Sequence, residues 1–188
     1  MQASPWLEVL AAPAALLAGF DDWPTVEELD ARLHALAGVR FHRQPPRPRR
    51  GRTRSTYDAR IVTERVVPTR ARSWHDLLNA LVWARFPRAK AQLHARQHRV
   101  LTSHPRDRSD ARGREGDALA MLDEGGVLLT RAGPRLFGHG LAEGLVVGSP
   151  SLFARTLAVP GDDEALAALL ADPRSLRHPD ELGRLTVR

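Results

Sequence analysis

His75, Asp76 and Asn79 fall together on one face of the stretch 68–98, the segment with the clearest helical spacing in this 188-residue chain. An imidazole, a carboxylate and a carboxamide are unusual on a face that merely meets solvent, where Lys, Glu or Arg is commoner. Lys90, His94 and His98 then recur at i, i+4 and i+8. A second group follows downstream: Asp123 and Glu124, then His139 and Glu143 at i, i+4, a spacing that puts both side chains on one face and lets both ligate a divalent cation. Adding a carboxylate from Asp123 or Glu124 to His75 and His139 would give a His/His/carboxylate site suited to activating water. The candidate catalytic residues are therefore His75, Asp76, Asn79 and Lys90, and the candidate metal ligands are His75, Asp123, Glu124, His139 and Glu143. Lys90 is the only lysine among 28 basic residues, so its position could call for a compact ammonium rather than a guanidinium. Trp83, on the same face as His75, could stack on a planar ligand or pack inward. Structural roles compete throughout: Asp76 as a helix cap, Asp123 and Glu124 as turn residues, His139 as a buried ring bonded to backbone.

The elements that must position these groups can be read in outline. Ser73 is an N-cap with Asp76 as its capping-box partner, and Trp74, Leu77, Leu78, Leu81 and Val82 form the apolar flank of the helix they open. Phe86-Pro87 breaks it, because Pro87 has no N–H and disfavours helical geometry before it. Upstream, residues 5–18 form a short helix restarted at Pro13. Thr25 and Glu28 cap a second helix through Val26, Leu29, Leu33 and Leu36, ended by Gly38. Strands are expected at 39–42, 57–67 and 153–159, with Ile61 buried. Leu119 to Leu122 and Val127 to Thr130 flank Gly125-Gly126 as a hairpin over 118–130, with Met121 filling the core. Phe137 to Val147 is compatible with a helix or a buried strand. Asp162 or Asp163 caps a helix through Leu170, and 173–188 shows little periodicity. Residues 44–55 and 99–116 read as flexible Arg-rich loops. The fold class expected is α+β, a single domain with helices packed on a small, mainly antiparallel sheet.

Composition narrows the chemistry. The absence of cysteine excludes disulfides, thiolate metal sites, iron–sulfur clusters and a cysteine nucleophile, leaving His and carboxylates for any metal. Nucleophile-elbow, zincin, dinucleotide and Walker motifs are missing. Net charge is +6, but residues 40–114 hold 20 Lys+Arg against 5 Asp+Glu while the flanks hold 8 against 17, a segregation of +15 and −9. Such a basic middle could attract phosphate or nucleic acid; equally, 27 of 28 basic residues being Arg suits a GC-rich coding bias. The run Val9 to Phe20 is preceded by Glu8 and interrupted by Pro13, so it reads as neither signal peptide nor membrane span, and a cytoplasmic location without a membrane partner is expected.

Several separated blocks stand in register with a known pattern: Val67-Pro-Thr-Arg, Trp74-His-Asp-Leu-Leu-Asn-Ala-Leu-Val-Trp, Phe86-Pro-Arg-Ala-Lys, Asp117-Ala-Leu-Ala-Met-Leu-Asp-Glu-Gly-Gly-Val and Phe137-Gly-His-Gly-Leu-Ala-Glu. In these the chain resembles the bacterial domain of unknown function 3025 family from about Tyr57 to about Glu143. It departs from that pattern at His94, where an Asn is expected, and in a short join from Thr130 to Leu136. The resemblance carries no settled activity. The expected function is a metal-assisted hydrolase acting on an anionic substrate, such as a phosphorylated or nucleotide-containing one, with a divalent metal as cofactor. The alternatives are a nucleic-acid-binding module using the basic middle segment and a non-enzymatic partner-binding protein.

Overall fold

The computed structural model describes residues 4–44, 55–103 and 113–187. After a 3-10 turn at Pro5–Leu10 come helices α1 (Ala11–Ala15) and α2 (Val26–Ala37), strand β1 (Arg40–Arg43), α3 (Ser55–Glu64), β2 (Val66–Thr69), α4 (Trp74–Arg85), α5 (Pro87–Ser103) and α6 (Gly113–Gly125). The second half runs β3 (Gly126–Thr130), β4 (Gly133–Leu136), α7 (His139–Val146), β5 (Leu152–Ala158), α8 (Asp163–Ala171) and β6 (Gly183–Val187). This is an α+β fold whose helices share one buried apolar core with two small sheets. β1 and β2 pair in parallel; the larger sheet has the order β4-β3-β5-β6, antiparallel at both edges and parallel between β3 and β5. Among the described residues, no helix is long and apolar enough to cross a membrane.

Local chemistry explains the elements that the sequence foretells. Thr25 and Glu28 complete a reciprocal capping box, and Gly38 ends α2 in the left-handed conformation. Val26, Leu29 and Leu33 are buried, although Leu36 at the last turn points outward. Ser73 accepts a hydrogen bond from the Asp76 amide, and the chain breaks at Phe86-Pro87 into α4 and α5.

Two expected strands are helices. Residues 57–67 read as a strand because Ile61, Val62 and Thr63 are β-branched, yet 55–64 form α3, which buries Asp58 and Ile61 against α5. Packing overrides propensity here, and only 66–69 extend. The hairpin expected around Gly125-Gly126 is instead the helix-to-strand junction of α6 and β3. Ala118, Leu119 and Leu122 follow a helical repeat and are fully buried, and the actual hairpin joins β3 to β4. The loop expected at 99–116 is shorter, because 99–103 finish α5 and 113–116 begin α6; residues 45–54 and 104–112 lie outside the described residues. The closing residues supply β6, whose partner is β5.

Candidate metal centre

Three element ends meet at the site: the first turn of α4, the last turn of α6 and the first turn of α7. His75 is the second residue of α4, and His139 opens α7. The amides of Phe137 and Gly138 both donate to the Gly126 carbonyl at 2.9 Å, tying the start of α7 to the end of α6. Gly138 and Gly140 make that approach possible. A Cβ on Gly138 would lie 2.3 Å from the Gly126 nitrogen, and one on Gly140 would lie 2.6 Å from Glu124 Oε2. The sequence Gly-His-Gly is thus a close-packing device that presses His139 against the Glu124 region.

The two imidazoles face each other through their Nε2 atoms, 3.0 Å apart. His75 Nδ1 donates to Glu143 Oε2 at 3.0 Å. His139 Nδ1 is buried without a hydrogen-bond partner among the described residues, and Asp123 Oδ1 lies 3.7 Å from it. Each ring therefore has a carboxylate on its Nδ1 side and offers its Nε2 side to a common point. Glu124 Oε2 stands 3.6 Å from His139 Nε2, and ligand atoms of His75, Glu124 and His139 all lie within 4.8 Å of one another. Two nitrogens bound at about 2.1 Å and at a right angle are about 3 Å apart, so the two Nε2 atoms already have the spacing of neighbouring ligands. Glu143 behind His75 and Asp123 behind His139 occupy the places of outer carboxylates that orient metal-bound imidazoles.

Electrostatics agree with this division of labour. Burial pushes the His139 imidazole down to about 3, keeping the ring neutral as a ligand must be. Burial alone would push the Asp123 carboxyl up, but the Lys90 ammonium, 2.5 Å away, and then the nearby histidines hold it well below the usual carboxylate range. Glu124 is raised, first by burial and then by the Asp123 charge. A cation beside Glu124 would relieve that repulsion.

Not every sequence candidate belongs to this centre. Lys90 is wholly buried under the Trp83 ring, 5.7 Å from its centroid, and neutralises Asp123; it is absent from the cavity wall. Asp123 pairs with Lys90 and Glu143 with His75, and neither is one of the three residues of the cluster. Asp76 does not close a reciprocal box: its carboxylate takes the Arg70 amide at 2.5 Å and the Arg70 guanidinium at 2.8 and 3.0 Å. Trp83 is fully buried, stacked on His94 with centroids 5.4 Å apart and planes 5° from parallel, so it is no platform for a ligand.

A cavity of about 300 Å³ opens beside the cluster, and its wall includes His75, Glu124 and His139 together with Asn79. Tyr57, Asp58 and His94 also line it and were not among the sequence candidates. Asp58 accepts from His94 Nδ1 at 2.9 Å, and Asn79 Nδ2 donates to the Tyr57 hydroxyl at 3.2 Å. The i, i+4 relation of Lys90 and His94 was the one signal pointing to this second pair.

The fold is similar to that of phenylalanine hydroxylases. Two single-residue variants of the C. violaceum enzyme superpose with TM-scores of 0.54 and 0.53 at 16% and 17% identity, covering 96% of this chain and 80% and 79% of theirs. The Legionella pneumophila phenylalanine hydroxylase gives 0.47 at 17% identity, over 71% of this chain, which spans only 57% of that enzyme. No curated protein sequence matches the chain. Residues 39–136, more than half of its length, match the family described as protein of unknown function (DUF3025), and the chain belongs to that family.

Proposed function

We propose that the protein is a metal-dependent enzyme in which His75, His139 and Glu124 hold one divalent cation at the mouth of the cavity. The observation that carries this reading is the pair of facing Nε2 atoms, each on a ring with a carboxylate at its back. An ion of this ligand set supplies a Lewis-acidic centre with open positions, the donor pattern of non-haem iron oxygenases as well as of hydrolytic zinc enzymes. The chain's own part is to fix the rings: Glu143 holds the Nδ1 proton of His75, Asp123 faces His139 Nδ1, and Gly140 leaves room for the Glu124 carboxylate.

Of the two chemistries, oxidative hydroxylation is the better supported, because the proteins of similar fold are phenylalanine hydroxylases and the donor set suits iron(II). Metal-assisted hydrolysis is the second reading, favoured by the same His/His/Glu donors. Metal analysis of anaerobically purified protein, followed by titration with iron(II) and zinc(II), separates the possibilities. One ion per chain, lost in His75→Ala, His139→Ala and Glu124→Gln, is expected. A metal-free protein indifferent to both ions would defeat the proposal.

The nucleic-acid reading loses support from where the charges meet. Arg40, Arg43, Arg72, Arg85, Arg88 and Arg96 pair with Asp30, Glu27, Asp22, Asp162, Glu164 and Glu115, all carboxylates from outside the basic segment 40–114. The acidic flanks fold back on the basic middle, so charges segregated in sequence are mixed in space among the described residues.

A further inference from the structure

We infer that Asp22 and Trp23 position His75 for the metal from outside the cavity, by fastening the turn that presents this ring. This rests on the metal-site reading above and adds how that site is held in shape. His75 is the second residue of α4, so its direction is set by residues 70–74, which lead from β2 into the helix. That turn has little support of its own. Arg72 takes a left-handed backbone with φ of 55°, which a residue other than glycine keeps only where its surroundings hold it. The hydrogen bond from the Asp76 amide to the Ser73 cap is long, at 3.3 Å.

Fasteners sit at alternate positions around His75. Arg70 donates to Asp76 within the turn, Arg72 pairs with Asp22, and the Trp74 ring meets Trp23 edge-on with centroids 4.6 Å apart. Two of these three contacts come from one dipeptide, 50 residues upstream of Arg72. The dipeptide is itself firmly presented: Pro24 disfavours helical backbone at Trp23, and the Thr25–Glu28 capping box ties the next residues to α2. A cleft of only about 10 Å³ separates it from the turn, walled by Trp23, Pro24, Ala71, Ser73 and Leu77 among others. Asp22, Trp23, Arg72 and Trp74 are absent from the wall of the large cavity and from the metal cluster, so they act on an ion only through the direction of His75. The ion pair is exposed on both sides and contributes little, which leaves the ring pair as the stronger fastener. With Trp74 itself 42% exposed, removing that contact leaves the buried core in place.

Calorimetric titration of the full chain with zinc(II) tests the assignment. Trp23→Ala should weaken zinc binding by about fivefold or more, while Trp23→Phe, which keeps a ring at the edge of Trp74, should stay within about twofold of wild type. Trp74→Ala should match Trp23→Ala, and the double variant should lose no more than either single one, because the same contact is removed once. If Trp23→Ala does not fold, Trp74→Ala decides in its place. With cobalt(II) instead of zinc, the visible absorption of Trp23→Ala should change in shape, as a displaced ligand requires. Arg96→Met loosens the fold elsewhere and should bind zinc as wild type does. In metal-free protein the His75 ring-proton signal, assigned by its loss in His75→Gln, is displaced by the His139 ring 4.5 Å away and should move toward its unfolded position in Trp23→Ala. Unchanged zinc affinity or an unchanged His75 signal in Trp23→Ala, additive losses in the double variant, or an equal loss in Arg96→Met overturns the inference. A wild type that binds no zinc, with a His75 signal that still responds to Trp23→Ala, sinks the metal-site reading alone, whereas zinc binding indifferent to Trp23→Ala sinks only the present one.

Discussion

Lys90→Met removes the one cation beside Asp123 while keeping an unbranched side chain of similar length. Lys90 is fully buried and its Nζ lies 2.5 Å from Asp123 Oδ1, so the variant strands a carboxylate that is itself only 8% exposed. Breaking a buried ion pair from one side costs about 3–5 kcal/mol, because the remaining charge keeps its desolvation penalty and loses its partner. At about 2–4 °C per kcal/mol for a chain of this size, the midpoint of thermal unfolding should fall by roughly 6–20 °C. The loss has a pH signature. In wild type the Asp123 carboxyl is held low, whereas without Lys90 burial should raise it above its unfolded value. A raised carboxyl stabilises only while protonated, so the gap between variant and wild type should be widest at neutral pH and narrow as pH falls. Asp123→Asn in the Lys90→Met background should recover most of the loss, since the uncompensated charge is gone. Urea denaturation and calorimetry of metal-free protein at several pH values provide the measurement, and zinc titration should still find one site per chain, because Lys90 is no ligand. A single variant within about 1 kcal/mol of wild type, or a double variant no more stable than Lys90→Met, would refute the account of Lys90 as the buried counter-charge.

Acid should destabilise the metal-free protein before it reaches the ordinary carboxylate range. His139 is pushed down from 6.5 to about 3, so between those values the unfolded chain binds the proton that the folded one refuses, and stability falls as pH drops. The loss is on the order of a few kcal/mol across that window, and His139→Gln should flatten the dependence in chemical denaturation. Glu124, raised but on a side chain 56% exposed, works in the opposite sense and is largely screened. Gly140→Ala should lower metal affinity by about tenfold or more, because the added Cβ would lie 2.6 Å from Glu124 Oε2 and 3.0 Å from the Glu124 carbonyl oxygen, displacing the carboxylate and pressing on the end of α6; unchanged affinity by calorimetry would remove Glu124 from the ligand set. Arg96→Met should cost about 3–5 kcal/mol in urea, since the guanidinium is 1% exposed and serves Glu115 and the carbonyls of Leu170, Asp172 and Ser175, yet zinc stoichiometry should not change.

How far the sequence could carry these conclusions depended on whether the deciding interaction was local. The Thr25–Glu28 box, the Ser73 cap and the Phe86-Pro87 break lie within a few residues and were legible. The α6 segment was not, because Gly125-Gly126 between apolar runs satisfies hairpin chemistry equally well; only the burial of Ala118, Leu119 and Leu122 together, a tertiary fact, makes it a helix. Tyr57 and Asp58 were lost for the same reason, their segment being judged by its β-branched residues when α5 decides its conformation.

The site shows the same boundary from the other side. Residue types and spacing nominated His75, Asp123, Glu124, His139 and Glu143, since a cysteine-free chain has few other ligands for a transition metal, and three of them, His75, Glu124 and His139, form one cluster. Which carboxylate would join the rings and which would stand behind them could not be read, because Glu143 shares a helix with His139 yet turns to His75, 68 residues away in sequence. The lone lysine was singled out as a candidate catalytic group, and it lies buried against Asp123 and away from the cavity wall. A compact ammonium is what a buried carboxylate behind a neutral imidazole requires, and that need arises only once α5 packs beneath α6. The unusual residue in the composition therefore marks the place where the fold had to neutralise a charge, and His139, with its Nε2 turned toward His75, lies on the far side of that charge.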